Sequence, residues 1–474
     1  MQHYNSTIST EAIQLLTPEQ AWKYSVVPYS ANAHEIHLYA APHIANQHIE
    51  ELELLLGKKI IVQHIAESEC NALLTNLYRN QEKKDTFVVT NASDMQFIKK
   101  MIEEAHHYQA SDIHIEVFEE RCRIRYRVDG KLLEKYILEK RDYPLIINKI
   151  KIEANLDIAE KRLPQDGRIF YQGESGKFDV RVSALPTLYG EKIVMRLLAK
   201  DAEQIDLEKL GFSTQQLNEY KLGIQKTHGI ILISGPTGSG KTTTLYSTLK
   251  VLNKTSTNIL TVEDPIEYTL EGINQVQLNE AIGLDYSTAL RSFLRQDPDI
   301  IMLGEIRDAE TAQMAIRSAL TGHLVFSTIH TNSAWGTVSR LIDMGVPAYL
   351  LANTLLLSLA QRLLRLLCPH CKQPIELTRN MLPHSFTIPK DLQTVYKPVG
   401  CKHCYYTGYK GRKAIYEVIP VDKEISYAIK QNELDIDTYI QTHNIIQLKD
   451  MALEMLRMGE TSTDEVFPVL LHEF

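Results

Sequence analysis

The sequence has no excess of basic residues. Its 474 residues include 51 Lys and Arg against 59 Asp and Glu, which gives a formal net charge of −8 and an isoelectric point near 6.1. A dedicated nucleic-acid-binding protein needs a basic surface, because its binding is driven by the release of counterions from phosphate. The composition therefore argues against this class, and we predict no nucleic-acid partner.

Long apolar runs are also scarce. The most apolar stretch, residues 344–361, is interrupted by proline, asparagine, threonine, serine and glutamine. A membrane-spanning helix needs ~20 predominantly apolar residues, so we predict a buried helix here and only peripheral contact with a membrane. The first residues, 1–12, lack the basic and apolar regions of a secretory signal. The expected location is therefore the cytoplasm.

Cysteine is rare, with six residues in the chain. Two cysteines are isolated, and the other four form two C-x-x-C pairs: Cys368, Cys371, Cys401 and Cys404. Such pairs suit metal binding in a reducing compartment better than disulfides. Four thiolates make a closed tetrahedral Zn²⁺ site, typically worth ~10–16 kcal/mol of apparent binding energy. An iron–sulfur cluster and a redox pair are the alternatives, and we predict a structural zinc site.

The length predicts roughly two to four domains, and the ordinary composition predicts a chain that folds throughout. We expect the α/β class, with a small N-terminal module at 1–80, a polar linker at 81–90, a second α/β unit at 91–202 and a third unit at 203–474. From about residue 205 strand and helix patterns alternate, which is typical of a parallel sheet. The third unit includes a tetracysteine segment at 366–412 and a C-terminal helical region at 413–474.

One motif has the form G-x-x-x-x-G-K-T and lies between an apolar strand-like segment and a helix-like segment. Glycines allow backbone N–H groups to wrap phosphate, and the helix N-terminus adds a favourable dipole. Lys241 is suited to neutralise the β- and γ-phosphates, and the Thr242 hydroxyl to ligate Mg²⁺. A chance glycine-rich turn is the alternative. The predicted nucleotide-binding residues are Gly235, Pro236, Thr237, Gly238, Ser239, Gly240, Lys241, Thr242 and Thr243.

Polar side chains follow three further apolar segments, at 258–262, 300–303 and 324–327. In doubly wound sheets, chemistry gathers at the carboxyl ends of the strands. Glu305 is suited to hold magnesium or its water, and Asp264 and Glu267 to orient or deprotonate an attacking water. Each acid alone is more commonly a helix cap or a surface charge, and His323 alone a structural histidine. Together with the phosphate loop, they predict ATP hydrolysis.

Taken in order, these segments resemble the type II secretion and type IV pilus assembly ATPase family. The matching segments include ASDIHIE at 110–116, RYRVDG at 125–130, KRLPQDGRI at 161–169 and DVRVSALPTLYGEKIVMRLL at 179–198. They continue with GPTGSGKTTTLY, TVEDPIEY, LRQDPDIIMLGEIRDAETA, TGHLVFSTIHTN and the two cysteine pairs. The resemblance covers residues 90–474 well and residues 1–80 weakly.

The resemblance implies a RecA-like ATPase domain preceded by a PAS-like domain and assembled as a homo-hexamer. It implies recruitment to the inner face of the inner membrane, where platform proteins are partners and the N-terminal module docks. By the family pattern, Glu305 is the Walker B acid. The remaining implied catalytic residues are Glu263, Asp264 and Glu267 around the γ-phosphate and Mg²⁺, His323 and His330 as nucleotide sensors, and Arg181 and Arg196 from the preceding domain. From the residues alone, the two arginines also suit a strand surface, and the general base stays open between Glu267 and Glu305.

The tetracysteine segment resembles that of extension and assembly ATPases, and the short N-terminal module resembles the secretion branch. We therefore predict a motor that drives pseudopilus assembly in type II secretion, with pilus extension as the alternative. A RecA-like nucleic-acid translocase is a remote alternative, and a zinc-ribbon binding module with an inactive phosphate loop is a third. No repeated motif of a cyclic-di-GMP-binding domain is evident, so this ligand is not predicted.

Overall fold

The computed structural model describes residues 10–13, 15–32, 34–42, 44, 46–77, 87–89, 95–173, 176–197, 206–389, 391–433 and 435–471. The expected linker at 81–90 lies outside these residues except for 87–89. Within the described residues, no helix combines the length and apolar character that crossing a membrane requires.

The N-terminal module is a three-stranded sheet packed against helices. Its elements are α1 (Thr10–Ile13), α2 (Pro18–Tyr24), β1 (Val26–Ala31), β2 (Glu35–Ala40), α3 (Asn46–Leu56), β3 (Lys59–His64) and α4 (Glu67–Leu77). The strand order is β1-β2-β3, with β1 and β2 antiparallel and β2 and β3 parallel. Ile36 and Leu38 of β2 are fully buried, so this module has a core of its own.

As far as the structure describes it, the second unit is a seven-stranded sheet with two helices. Its elements are β4 (Phe87–Val89), α5 (Met95–His107), β5 (Ala110–Val117), β6 (Cys122–Val128), β7 (Lys131–Leu138), α6 (Tyr143–Glu153), β8 (Gln165–Gly173), β9 (Gly176–Thr187) and β10 (Gly190–Leu197). The order is β4-β7-β6-β5-β10-β9-β8. β4 falls inside the segment expected as a linker, because it pairs in parallel with β7 and so joins the sheet.

A two-residue turn at Asp129 and Gly130 connects β6 to β7, and both residues have positive φ, +47° and +81°. Aspartate followed by glycine suits such a turn, since both central residues of a type I′ hairpin need positive φ.

The pairing of β9 with β10 determines which of their side chains lie on the same face of the sheet. Arg181 of β9 lies directly opposite Arg196 of β10, so the two arginines project from the same side of the sheet.

The third unit, called the ATPase unit below because the resemblance predicts ATPase activity for it, is built on a second seven-stranded sheet. Its first elements are α7 (Thr214–Ile224), β11 (Gly229–Ser234), α8 (Lys241–Leu252), β12 (Ile259–Glu263), β13 (Asn274–Gln277), α9 (Tyr286–Phe293), β14 (Ile300–Leu303), α10 (Ala309–Leu320), β15 (Leu324–Ile329), α11 (Gly336–Asp343) and α12 (Ala348–Thr354). The later elements are β16 (Leu355–Leu367), β17 (Gln373–Glu376), β18 (Thr394–Lys397), β19 (Tyr409–Pro420), α13 (Lys423–Gln431), α14 (Asp437–Thr442), α15 (Leu448–Arg457) and α16 (Thr463–Leu471).

The strand order in this sheet is β13-β12-β14-β15-β11-β16-β19. Neighbouring strands are parallel except for the antiparallel pair β16 and β19. Every residue of β11, β12, β14 and β15 is buried, as expected for parallel strands covered on both faces. The carboxyl ends of these strands therefore meet at one edge of the sheet.

The prediction of one buried helix over 344–361 is wrong. The segment contains the short helix α12 and the first half of β16, which pairs with β11 on one side and β19 on the other. An apolar run has no period that distinguishes a buried helix from a central strand, so long-range pairing decides. Residues 413–420 of the expected helical region likewise continue β19, because they pair with β16.

Candidate active site

The loop between β11 and α8 has the backbone of a phosphate cradle. Gly235 has a φ of +150°, and Gly240, at the N-cap of α8, has a φ of +88°. A Cβ atom on Gly235 would lie 2.5 Å from the carbonyl oxygen of Gln361. Glycine is therefore required by both conformation and space, which keeps the loop backbone open to a bound anion.

Lys241 and Ser239 give this cradle its chemistry. The Lys241 ammonium donates hydrogen bonds to the carbonyl oxygens of Gly235, at 2.8 Å, and Pro236, at 3.1 Å. Burial lowers the pKa of Lys241, while the charge of Glu305 opposes that shift. The buried Ser239 hydroxyl has no hydrogen-bond partner among the described residues. A partly buried cation beside an unpaired hydroxyl fits a phosphate group.

Gln361 of β16 supports the loop from behind, a role that the sequence analysis did not predict. It is 1% exposed, and its amide nitrogen donates to the carbonyl of Ser239 at 2.9 Å. Its amide oxygen accepts from the Thr244 hydroxyl at 2.9 Å, and that hydroxyl also lies 3.0 Å from the Tyr416 hydroxyl. The sequence feature that could have indicated this role is the position of Gln361, a polar residue at the end of the apolar stretch 344–361.

Glu305 follows β14 and has both oxygens engaged. Arg307 donates to one oxygen, and Nε2 of His330 lies 3.3 Å from the other. Burial raises the pKa of Glu305, but the hydrogen bonds and charges of Arg307 and His330 outweigh it and hold the pKa below its ordinary value. Glu305 is therefore ionised, as a Mg²⁺ site needs. Arg307 also lies 3.6 Å from Asp264. Arg307 was not predicted as a site residue, although its position two residues after Glu305 could have indicated the contact.

The acids after β12 differ in exposure. Glu263 is 3% exposed, and its carboxylate accepts hydrogen bonds from Thr261 at 2.6 Å, Gln275 at 3.1 Å and Tyr246. These three contacts are all with side chains of the ATPase unit. The Glu267 side chain is 36% exposed, so it has access to solvent.

The second unit brings one of its two paired arginines to these acids. Nη1 of Arg181 lies 3.6 Å from a carboxylate oxygen of Glu267, and Nη2 donates to the carbonyl of Ile266. Burial lowers the pKa of Arg181, whereas Glu267 opposes that shift. Arg196 is more than half exposed and donates to Asp112 at 3.0 Å, within its own unit. The structure therefore brings Arg181, but not Arg196, into contact with Glu267.

The two histidines lie at opposite ends of β15. His330 follows the carboxyl end of this strand, beside Glu305. His323 precedes the amino end, where its carbonyl accepts from the Gly229 amide at 3.1 Å and its ring contacts the Ser318 carbonyl at 2.9 Å. Since β15 and β11 are parallel and in register, His323 lies at the sheet edge opposite the phosphate loop. The structure does not bring His323 to the site.

The four paired cysteines form one cluster, with all four sulfur atoms within 4.8 Å of one another. Three of the sulfur–sulfur distances are 3.8 Å. Thiolates bound tetrahedrally to zinc at ~2.3 Å have sulfur–sulfur distances of about 3.8 Å, so the cluster fits this ion. His370 and His403 stack on each other with ring centroids 4.2 Å apart, outside the set of four ligands.

A buried strand, a glycine cradle, a helix beginning at lysine and carboxylates at neighbouring strand ends together define a P-loop ATPase of RecA-like fold. The sequence profile of the family described as "Type II/IV secretion system protein" matches residues 89–468. The chain therefore belongs to this family of secretion ATPases, which implies ATP and Mg²⁺ as cofactors. This confirms the predicted fold class and the predicted enzyme class.

Individual relatives agree. The chain is 46% identical over 382 residues to type II secretion system protein E of Aeromonas hydrophila. This alignment covers 80% of the chain and 76% of the relative. It is 54% identical over 316 residues to the type IV pilus assembly ATPase PilB of Myxococcus xanthus, covering 66% and 56%. The solved structure of the ATPase DotB of Legionella pneumophila has a TM-score of 0.60 at 21% identity, covering 81% and 96%, which supports the fold alone.

Proposed function

We propose that this chain is the ATP-hydrolysing motor that drives pseudopilus assembly in type II protein secretion. The observation that carries the proposal is the convergence of three elements on one sheet edge: the cradle ending at Lys241, the ionised Glu305 and the Glu267–Arg181 pair. Each element supplies a separate requirement of phosphoryl transfer, namely phosphate binding, metal binding and charge stabilisation.

In this proposal each site residue has a separate role in ATP hydrolysis. Lys241 and the loop amides hold the β- and γ-phosphates, and Thr242 and Glu305 would hold a Mg²⁺ ion, which would neutralise phosphate charge. Glu267 accepts the proton of the attacking water, because its side chain is accessible whereas Glu305 would be occupied with Mg²⁺. On ATP binding, the Arg181 guanidinium moves from Glu267 to the γ-phosphate. A guanidinium in that position increases kcat by ~10³–10⁵-fold. Arg196 supplies a second guanidinium after domain movement.

The finer assembly follows from the family and is part of the same proposal. The chain works as a homo-hexamer on the cytoplasmic face of the inner membrane, with platform proteins as partners and module 1–80 as the docking element. The domain limits are those predicted from the sequence, except that β4 (Phe87–Val89) joins the second unit, and the cysteine cluster holds one structural Zn²⁺. Pilus extension is the second candidate, which the 54% identity to a pilus assembly ATPase favours.

The proposal is tested by comparing wild type, Lys241→Ala and Lys254→Ala in two assays. Lys254 is an exposed lysine just beyond α8 and is the matched control. Wild type and Lys254→Ala are expected to hydrolyse Mg²⁺-ATP and to restore secretion in a strain without its own secretion ATPase. Lys241→Ala is expected to do neither. Restored piliation without secretion would favour the pilus alternative, and full activity of Lys241→Ala would exclude this site.

A further inference from the structure

A buried hydrogen-bonded cluster joins the phosphate-loop helix α8 to the acidic segment after β12. Tyr246 lies on α8 and is fully buried. Its hydroxyl donates to Glu263 and accepts from the backbone amide of Glu267 at 3.3 Å. The amide nitrogen of Gln275 lies 3.4 Å from the same hydroxyl. One side chain therefore contacts both Glu263 and Glu267, which flank the cis peptide bond between Asp264 and Pro265.

Glu263 determines how the Tyr246 hydroxyl points. Its other oxygen already accepts from Thr261 and Gln275, at 2.6 and 3.1 Å, so the carboxylate is an acceptor on both sides. Tyr246 must donate its single proton to this carboxylate, which leaves its lone pairs for donors. Burial and the neighbouring Glu263 raise the pKa of Tyr246, so the hydroxyl stays protonated. The lone pairs of the Tyr246 hydroxyl can then accept a hydrogen bond from the backbone amide of Glu267.

We infer that Tyr246 is a positioning residue for ATP hydrolysis and that Glu263 acts through it. The Tyr246 hydroxyl fixes the backbone of Glu267 to the same helix that begins at Lys241. The Glu267 carboxylate is thereby held at a set distance from the phosphate cradle and next to Arg181, at 3.6 Å. This inference rests on the proposed function. It assigns Glu263 to the support of Glu267 and not to contact with Mg²⁺ or the γ-phosphate.

The first experiment compares Tyr246→Phe with Tyr220→Phe. Tyr220 is also fully buried, and its hydroxyl lies 2.7 Å from Thr248 of the same helix α8. Its variant removes this one buried hydrogen bond, whereas Tyr246→Phe removes the bond to Glu263 and the contacts with the Glu267 and Gln275 amides. Both variants are expected to lose thermal stability, Tyr246→Phe more than Tyr220→Phe. Because a misplaced catalytic group costs roughly 10- to 100-fold in rate, Tyr246→Phe is expected to lose that much kcat with KM for ATP nearly unchanged. Equal kcat in the two variants would overturn the inference.

The second experiment separates support from metal binding with Glu263→Gln. If Glu263 acts through Tyr246, kcat falls while the Mg²⁺ concentration for half-maximal activity stays at the wild-type value. If Glu263 binds Mg²⁺, that concentration rises severalfold, and the inference is overturned. This readout also serves if Tyr246→Phe is too unstable for kinetics.

A double variant tests whether Tyr246 works through Glu267. In the Glu267→Gln background, Tyr246→Phe is expected to cause no further loss of kcat, since the group it positions is already disabled. A full additional loss would overturn the inference. If the wild type itself fails to hydrolyse ATP, the proposed function fails and the inference with it. If the wild type is active but the variants behave additively, the inference alone fails.

Discussion

Tyr405 stacks on Tyr108 with ring centroids 3.9 Å apart, which joins the second cysteine pair of the ATPase unit to the second α/β unit. Tyr405 directly follows Cys404 and has a φ of +50°, a conformation that a non-glycine residue adopts at a cost. A second contact lies nearby, where the Gly411 amide donates to Asp129 at 2.9 Å. The cysteine cluster therefore lies at the joint between the unit that carries Arg181 and the unit that carries Glu267.

Removing one cysteine ligand should loosen this joint. Cys401→Ser is expected to lose bound zinc, to lower the midpoint of thermal unfolding and to reduce kcat, because the Tyr405–Tyr108 contact depends on the fold of the cysteine segment. Metal analysis and calorimetry measure the first two effects. Cys122→Ala, which changes a buried cysteine outside the cluster, should keep one zinc per chain. Full zinc content in Cys401→Ser would contradict the assignment of the site.

Arg181 should matter far more than a typical arginine of its unit. Arg181→Ala is expected to reduce kcat by roughly 10³-fold, since it removes a guanidinium from the transferred phosphoryl group. Steady-state ATP hydrolysis measures this loss. Arg162→Ala is the control, because Arg162 is 87% exposed and pairs with its neighbour Glu160. A loss of less than threefold in Arg181→Ala would show that this arginine does not act in the reaction.

Gln361 should control nucleotide binding. Gln361→Met leaves the Ser239 carbonyl and the Thr244 hydroxyl without this partner, at a cost of about 1–3 kcal/mol. We expect a raised Kd for ATP, measured with a fluorescent analogue, together with lower thermal stability. The exposed Gln215 of α7 provides the control substitution Gln215→Met. Unchanged Kd in Gln361→Met would mean that the loop holds its shape without β16.

Glu116 should make stability depend on pH. Burial raises the pKa of Glu116, but hydrogen bonds and charges from Arg125 and Arg123 lower it overall to about 2, well below its ordinary value of 4.5. The folded state thus holds the ionised form more strongly than the unfolded state does. The contribution is complete above pH 4.5 and is lost as pH falls toward 2.

Glu116→Gln is therefore expected to destabilise the protein at pH 7 and to destabilise it progressively less below pH 4.5. Urea unfolding at a series of pH values measures the difference from wild type. Glu120→Gln, at an exposed position after the same strand, should show a small difference that does not vary with pH. A difference for Glu116→Gln that stays constant down to pH 3 would contradict the ion-pair explanation.

Local motifs could be predicted from the sequence, and long-range pairings could not. The loop ending at Lys241 is determined by adjacent residues, so its strand–loop–helix setting was predictable. Gln361 reaches the same loop from a strand more than 100 residues later, and the apolar run before it looked like a helix. His323 and His330 appeared as one motif, but only the direction of β15 shows that they lie at opposite sheet edges.

The acids after β12 illustrate the same limit. The sequence placed Glu263, Asp264 and Glu267 in one segment and suggested a shared role at the phosphate. Burial separates them, because Glu263 faces Tyr246 inside the unit while Glu267 remains accessible. Glu263 is the acid that faces inward because it contacts Tyr246 of α8. The local sequence around these acids does not predict that contact.

The most direct test of the account is phosphate release by purified wild type and Glu267→Gln, with ATP binding measured on the same samples. Both proteins are expected to bind Mg²⁺-ATP with similar Kd. Wild type is expected to release phosphate over many turnovers, and Glu267→Gln to release it at least ~100-fold more slowly. A wild type that neither binds nor cleaves ATP, or a Glu267→Gln variant that turns over at the wild-type rate, would contradict this account.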